Sequence, residues 1–200
     1  MDLYKYHSKP ETLDRYAERD QIVPERILKI AMSGQKLTQK QEAVLAKSTK
    51  YAFHYAFHVL NKPWPAGEAA IAKNAECAYR YALNVLKKQW PVGEAAISKD
   101  AYFAFRYARD VLEKPFPAGE AAIAKDADYA YQYARDVLKK KWPAGEVAIA
   151  KDAHYAYQYA RDILKKPWPA GEVAITKNAE YAYLYAHNLL KLSDKEAKQW

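Results

Sequence analysis

The chain has 200 residues, half of them hydrophobic and 14% aromatic, with a formal net charge of +8. That is enough apolar material for one or two well-buried bodies, and it excludes a disordered polymer. No apolar run approaches the ~20 residues that span a bilayer, and the opening "MDLYKYHSKPETLD" has no apolar signal region after a basic start, so a soluble cytoplasmic chain without a membrane partner is expected. The single cysteine, Cys77, excludes an internal disulfide or a cluster of paired thiolates. It replaces an aromatic residue of the other repeats and is expected to be a buried spectator.

Residues 1–47 read as an N-terminal helical cap that includes a degenerate repeat. Ser8 to Glu11, "SKPE", has the form of a capping box. Pro24 opens a helix that Gly34 closes. "LTQKQEAVLAKS" lines up with the short helix of the later repeats, with Glu42 at the place of their glutamate.

Residues 48–192 then repeat one pattern six times with a period of 26, the last copy incomplete. Each copy starts at Ser48, Asn74, Asp100, Asp126, Asp152 or Asn178, all of them side chains suited to capping a helix N-terminus. A segment such as "AHYAYQYARDILKK" follows. It lacks Gly and Pro and carries lysine near its end, as a long helix would. Ala156, Ala160, Ile163 and Leu164 form one stripe, flanked by Tyr155 and Tyr159 on one side and Tyr157 on the other. So wide an apolar arc must be buried by several neighbours. "PAGEAAIAK" then reads as a short helix. Proline suits its first position, where the missing N–H would be unpaired anyway, and its glutamate suits the first turn.

Residues 193–200, "SDKEAKQW", form a polar C-terminal cap, opened by a second capping box from Ser193 to Glu196. The expected fold is all-α: a right- or left-handed α-solenoid of 26-residue two-helix repeats, long helix plus short helix, with helical caps.

The opening "YHSKPETLDRYAERDQIVPE", followed by tandem "YAYxYARDVLKKxWPAGExAIAKDA" units, resembles a group of tandem-repeat proteins encoded by tailed bacteriophages. The resemblance covers nearly the whole chain. It implies a viral origin, a helical array and a location in the cytoplasm of an infected bacterial host. It brings no catalytic residues.

No catalytic constellation, cofactor signature or metal site emerges from the residues. His54 and His58 stand four apart on one helix but lack the intervening glutamate of a metalloprotease and a third ligand. The glycines are isolated, one per short helix, as close packing would require. Glutamates and tyrosines that recur in every unit suit capping and packing, because a catalytic group is needed only once. Tyr55, Tyr81, Tyr107, Tyr133, Tyr159 and Tyr185 are placed on the core side.

Function is therefore sought where the repeats disagree. The second, sixth and ninth positions after each cap vary and project to the outward face. Phe57, Leu83, Tyr102 and Leu184 are unusually apolar for that face. With Arg80, Arg106 and Arg109, the first three form a candidate protein-binding patch, unless the N-terminal helices cover Phe57 and Leu83. A second outward row, Arg106, Arg109, Arg135 and Arg161 with Lys139 and Lys165, is the candidate nucleic-acid surface. Asp110, Asp136 and Asp162 directly follow three of these arginines and suggest salt-bridged surface helices instead. Counted per repeat, the charge is spread thinly, between 0 and +2 in each unit.

The expected function is a non-enzymatic binding protein that engages or sequesters a host protein, a defence component in the phage context. The alternative is a nucleic-acid-binding protein using the outward basic row. The sequence leaves the oligomeric state open.

Overall fold

The computed structural model describes residues 23–200. The capping box at Ser8 lies outside them. The described chain is an all-helical stack of two-helix units with helical ends, an α-solenoid.

At the N-terminal end, Pro24–Met32 is a helix whose chain turns away at Gly34, with φ of 86°. Gln39–Ala46 is the degenerate short helix. Thr38 and Gln41 form a capping box there, doing the work that proline does in the later units. The caps Asn74, Asp100, Asp126, Asp152 and Asn178 each accept a hydrogen bond from a backbone N–H in the first turn of their long helix. Ser48 departs from expectation, since its side chain makes no such bond.

Each unit is held to the next by one buried clasp. The hydroxyl of Tyr81 donates to Glu68 Oε1 at 2.8 Å on the preceding short helix, and it accepts the N–H of Trp64 at 2.8 Å. Trp64 is the residue before that helix and has no side-chain cap of its own, so this N–H would otherwise be an unpaired helix-start donor. The same pair of bonds is made by Tyr107, Tyr133, Tyr159 and Tyr185. The glutamates expected as dipole and capping residues thus serve mainly as acceptors for the tyrosine of the following unit. Burial keeps these hydroxyls protonated, pushing their pKa values well up, and the facing carboxylates add to the shift.

The alanine stripe is sealed: Ala78, Ala82, Ala104, Ala108, Ala130 and Ala134 are fully buried. Glycine is required on the facing short helix. A Cβ at Gly145 would lie 2.5 Å from the Trp142 ring and 3.0 Å from the Ala130 methyl. Trp142 in turn packs against Tyr133 with ring centroids 5.0 Å apart.

The long helices are not uniformly α. After an α-helical start, Thr49–His54, Ala75–Tyr81, Ala101–Tyr107, Ala127–Gln132 and Ala153–Gln158, each widens into a π-helical turn, Tyr55–Leu60, Ala82–Leu86, Ala108–Leu112, Tyr133–Leu138 or Tyr159–Leu164. Such turns are rare and usually single. Here the turn recurs in the five units that have a complete short helix after it. Each ends on a residue in the left-handed region: Asn61, Lys87, Glu113, Lys139 or Lys165, with φ between 47° and 54°. The N–H groups of Lys87 and Lys88 both reach the Ala82 carbonyl, which closes the widened turn.

The sixth unit stays α-helical over Ala179–Asn188 and then meets the C-terminal cap. The Ser193 to Glu196 capping box forms as expected. Trp200 folds back to stack on Tyr185 at 5.2 Å, taking the role of the missing repeat tryptophan. The glutamate that would receive a further tyrosine is replaced in register by Lys198, so the clasp cannot be propagated.

Candidate functional site

The variable outward face of the second and third units is organised around one carboxylate. Asp110, on the π turn of the third long helix, accepts from Arg106 Nε at 2.6 Å, from Arg109 Nε at 2.6 Å and from the Tyr79 hydroxyl of the previous unit at 2.7 Å. Burial pushes the Asp110 carboxyl up, but hydrogen bonds from Arg109, Arg106 and Tyr79 outweigh it and hold the group down at about 2. Burial, reinforced by Asp110, pushes Tyr79 up to about 12. Arg106 lies over the Tyr79 and Tyr102 rings, 5.7 and 5.6 Å from their centroids, and its Nη1 donates to the Tyr102 hydroxyl at 2.9 Å.

Tyr102 is 38% exposed and is the one large aromatic side chain among the described residues that stands this far into solvent. Its ring meets Phe103 edge-on at 4.9 Å and Tyr129 of the next unit at 5.6 Å. Two turns further along the same helix, Arg109 lies 4.9 Å over the Phe105 ring. Leu83 occupies the equivalent position on the preceding helix, half-buried. The structure thus brings Tyr102, Arg106 and Arg109 into one cluster, with Leu83 in the equivalent turn of the preceding unit.

Phe57, Arg80 and Leu184 stand apart from that cluster. Phe57 is half-buried and stacks back on Phe53 at 5.5 Å, which removes it from the exposed patch expected of it. Arg80 pairs with Glu76 at 3.1 Å on its own helix. Leu184 is half-buried against the core. Whether residues 1–22 touch Phe57 and Leu83 lies outside the described residues.

The outward arginine row is neutralised where it stands. Arg135 and Arg161 each grip the aspartate that follows them, with Nε to Oδ1 at 2.6 and 2.5 Å and Nη2 to Oδ2 at 2.9 Å in both. Their guanidinium groups lie 5.0 and 5.1 Å over Tyr131 and Tyr157. Tyr131 also donates to Asp162 across the unit boundary at 2.7 Å. Lys139 and Lys165, grouped with this row from the sequence, are instead the left-handed residues at the helix ends, and both are exposed.

His54 and His58 stack at 5.3 Å, and no group of three metal-ligating side chains occurs among the described residues. Cys77 is half-buried rather than buried. His154 is partly buried, with Nδ1 2.5 Å from the Tyr181 hydroxyl and Nε2 2.9 Å from Gln158 Nε2. No helix among the described residues is long and apolar enough to cross a membrane.

Sequence reasoning missed the contribution of Tyr79 and Tyr131, whose hydroxyls reach aspartates 31 residues ahead. The signal was the fixed offset between a recurrent tyrosine in one unit and a recurrent aspartate in the next, and it becomes readable only once the stacking is known. Neither family models, curated proteins nor solved structures match the chain.

Proposed function

We propose that the protein is a non-enzymatic repeat scaffold that binds a partner protein through the outward face of its second and third units. The observation that carries this reading is the Tyr102, Arg106, Asp110 and Tyr79 cluster. Tyrosine and arginine are the residue types that anchor interfaces, and here they are held in place before a partner arrives, so little side-chain entropy is lost on docking. The residues that recur in every unit are spent on the clasp and the core. Those of the third unit that depart from the pattern are spent on the surface. The resemblance to phage repeat proteins directs the proposal to a host protein of an infected bacterium, with a defence component as its target class.

The test is affinity capture from nuclease-treated host lysate at high salt, comparing the wild type with Tyr102→Ala. Retention of one protein by the wild type and its loss by the variant, at unchanged helical circular dichroism, is the expected result. Equal retention by both sinks the assignment of this face.

A further inference from the structure

Successive long helices pack side by side through their π-helical halves, so the residues just beyond those halves fall in line along one edge of the stack. Two positions recur there in the five units with a π turn, the left-handed residue and its successor, at 61–62, 87–88, 113–114, 139–140 and 165–166, and the left-handed Lys191 with Leu192 holds the same register after the sixth helix. Together they hold nine lysines and one carboxylate, Glu113, a net +8. The whole 200-residue chain also carries +8. The remainder of the molecule is therefore balanced, and the surplus sits on this edge.

None of these nine lysines takes part in an ion pair among the described residues, and all are exposed. The adjacent Lys141 is not counted with them, because its position holds Pro63, Gln89, Pro115 and Pro167 in the other units and so carries no recurrent charge. Complementing the helix dipole does not account for the accumulation. A helix C-terminus presents about half a negative charge, and three of the six junctions here place two lysines against it. Packed helices lie about 8–10 Å apart, within the ~10 Å screening length of moderate salt, so the potentials of neighbouring pairs add into a stripe.

We infer that this edge binds the phosphate backbone of a nucleic-acid duplex. A repeated row of cations is the one case in which residues present in every unit do the binding, because the ligand is itself a repeat. The edge has no exposed ring on which unpaired bases could stack: Trp64, Trp90, Phe116, Trp142 and Trp168, which follow the first five junctions, are all buried. Apart from the half-buried Leu192 at its last position, it presents no large apolar side chain to insert into a lipid surface. Lysine contacts of this kind fix phosphate and carry no base readout, so the binding is independent of sequence. The inference does not depend on the Tyr102 face.

The experiment is fluorescence-anisotropy titration of the full chain with a short mixed-sequence DNA duplex at several salt concentrations, alongside anionic-lipid vesicles. One variant reverses four edge charges: Lys139→Glu, Lys140→Glu, Lys165→Glu and Lys166→Glu. A second reverses four exposed lysines at short-helix ends, Lys73→Glu, Lys99→Glu, Lys125→Glu and Lys151→Glu, for the same change in net charge. The expected result is salt-sensitive duplex binding by the wild type and at least a tenfold loss in the edge variant. The logarithmic salt slope should shrink by about one for each lysine that meets a phosphate. The second variant should retain most of its affinity. Equal loss in both variants, no duplex binding at low salt, or tighter binding to vesicles than to duplex would each overturn the inference.

Discussion

The arginine face and the lysine edge run along the same stack of helices and carry the same sign of charge, yet they are physically unlike. On the face, each of Arg109, Arg135 and Arg161 is followed by an aspartate and lies over an aromatic ring, so its charge is paired and its geometry fixed. On the edge, lysines with four rotatable side-chain bonds project past the helix ends with no carboxylate gripping them. The difference teaches that counting cations does not locate a polyanion site. What matters is which cations the fold has already spent.

The largest expected effect breaks the alignment on which both surfaces depend. Tyr133→Phe leaves the Phe116 N–H and the Glu120 carboxylate without their buried partner, and should cost about 3 kcal/mol in denaturant unfolding. The two surfaces should lose order together, because both rest on the same stacking of units.

A smaller change sharpens the contrast by turning face into edge. Asp110→Asn releases Arg106 and Arg109 and weakens the anchor of Tyr79, at an expected loss of about 2 kcal/mol, the scale of a hydrogen bond to a charged group. Unpaired, the two arginines should add salt-sensitive duplex affinity that the wild-type face lacks. Anisotropy titration checks the gain, and urea unfolding checks the loss.

Changing pH separates the two regions without mutation. The folded pKa of Asp110 lies below its ordinary value, so the stability it supplies is complete above about pH 4 and is lost as pH falls toward 2. Tyr79 is shifted the other way, to about 12, so its contribution is complete below about pH 10 and fades as pH rises toward 12. Thermal melts across both ranges should show these losses, and in Asp110→Asn both should be reduced.

The smallest effect belongs to the edge. Lys139 pays for its left-handed backbone conformation, and Lys139→Gly should raise stability by up to about 1 kcal/mol while weakening duplex binding slightly.

The repeat register, the short helices opened by proline, the buried tyrosines, the degenerate short helix at Gln39–Ala46 and the Ser193 capping box were all legible in the sequence. Each rests on a local rule: a cap at a fixed offset, a ring-imposed φ, a periodic apolar arc. The π turns were not legible. They end on lysine or glutamate in four of five units, residues with no left-handed preference, and only Asn61 carried the usual signal. The turn is set by tertiary demands: a tyrosine that must reach Glu68 and the Trp64 N–H, and a chain that must then turn into Pro-Trp-Pro or its variants. Leu83 and Phe57 looked like surface outliers because they share the register of Arg109, Arg135 and Arg161, which does face outward; that Phe57 folds back onto Phe53 depends on a side-chain contact the register does not carry. The lysine edge was hidden for a further reason. Charge counted per repeat is nearly balanced, whereas charge counted by position within the repeat is strongly uneven, and stacking converts position into place.

The most direct measurement of that division is an NMR titration of the side-chain N–H signals of arginine and lysine with a DNA duplex. The account predicts that the Nε–H signals of Arg106, Arg109, Arg135 and Arg161 exchange slowly and stay fixed, while the amino signals of Lys139, Lys140, Lys165 and Lys166 shift. Movement of the arginine signals with unmoved lysines would contradict it.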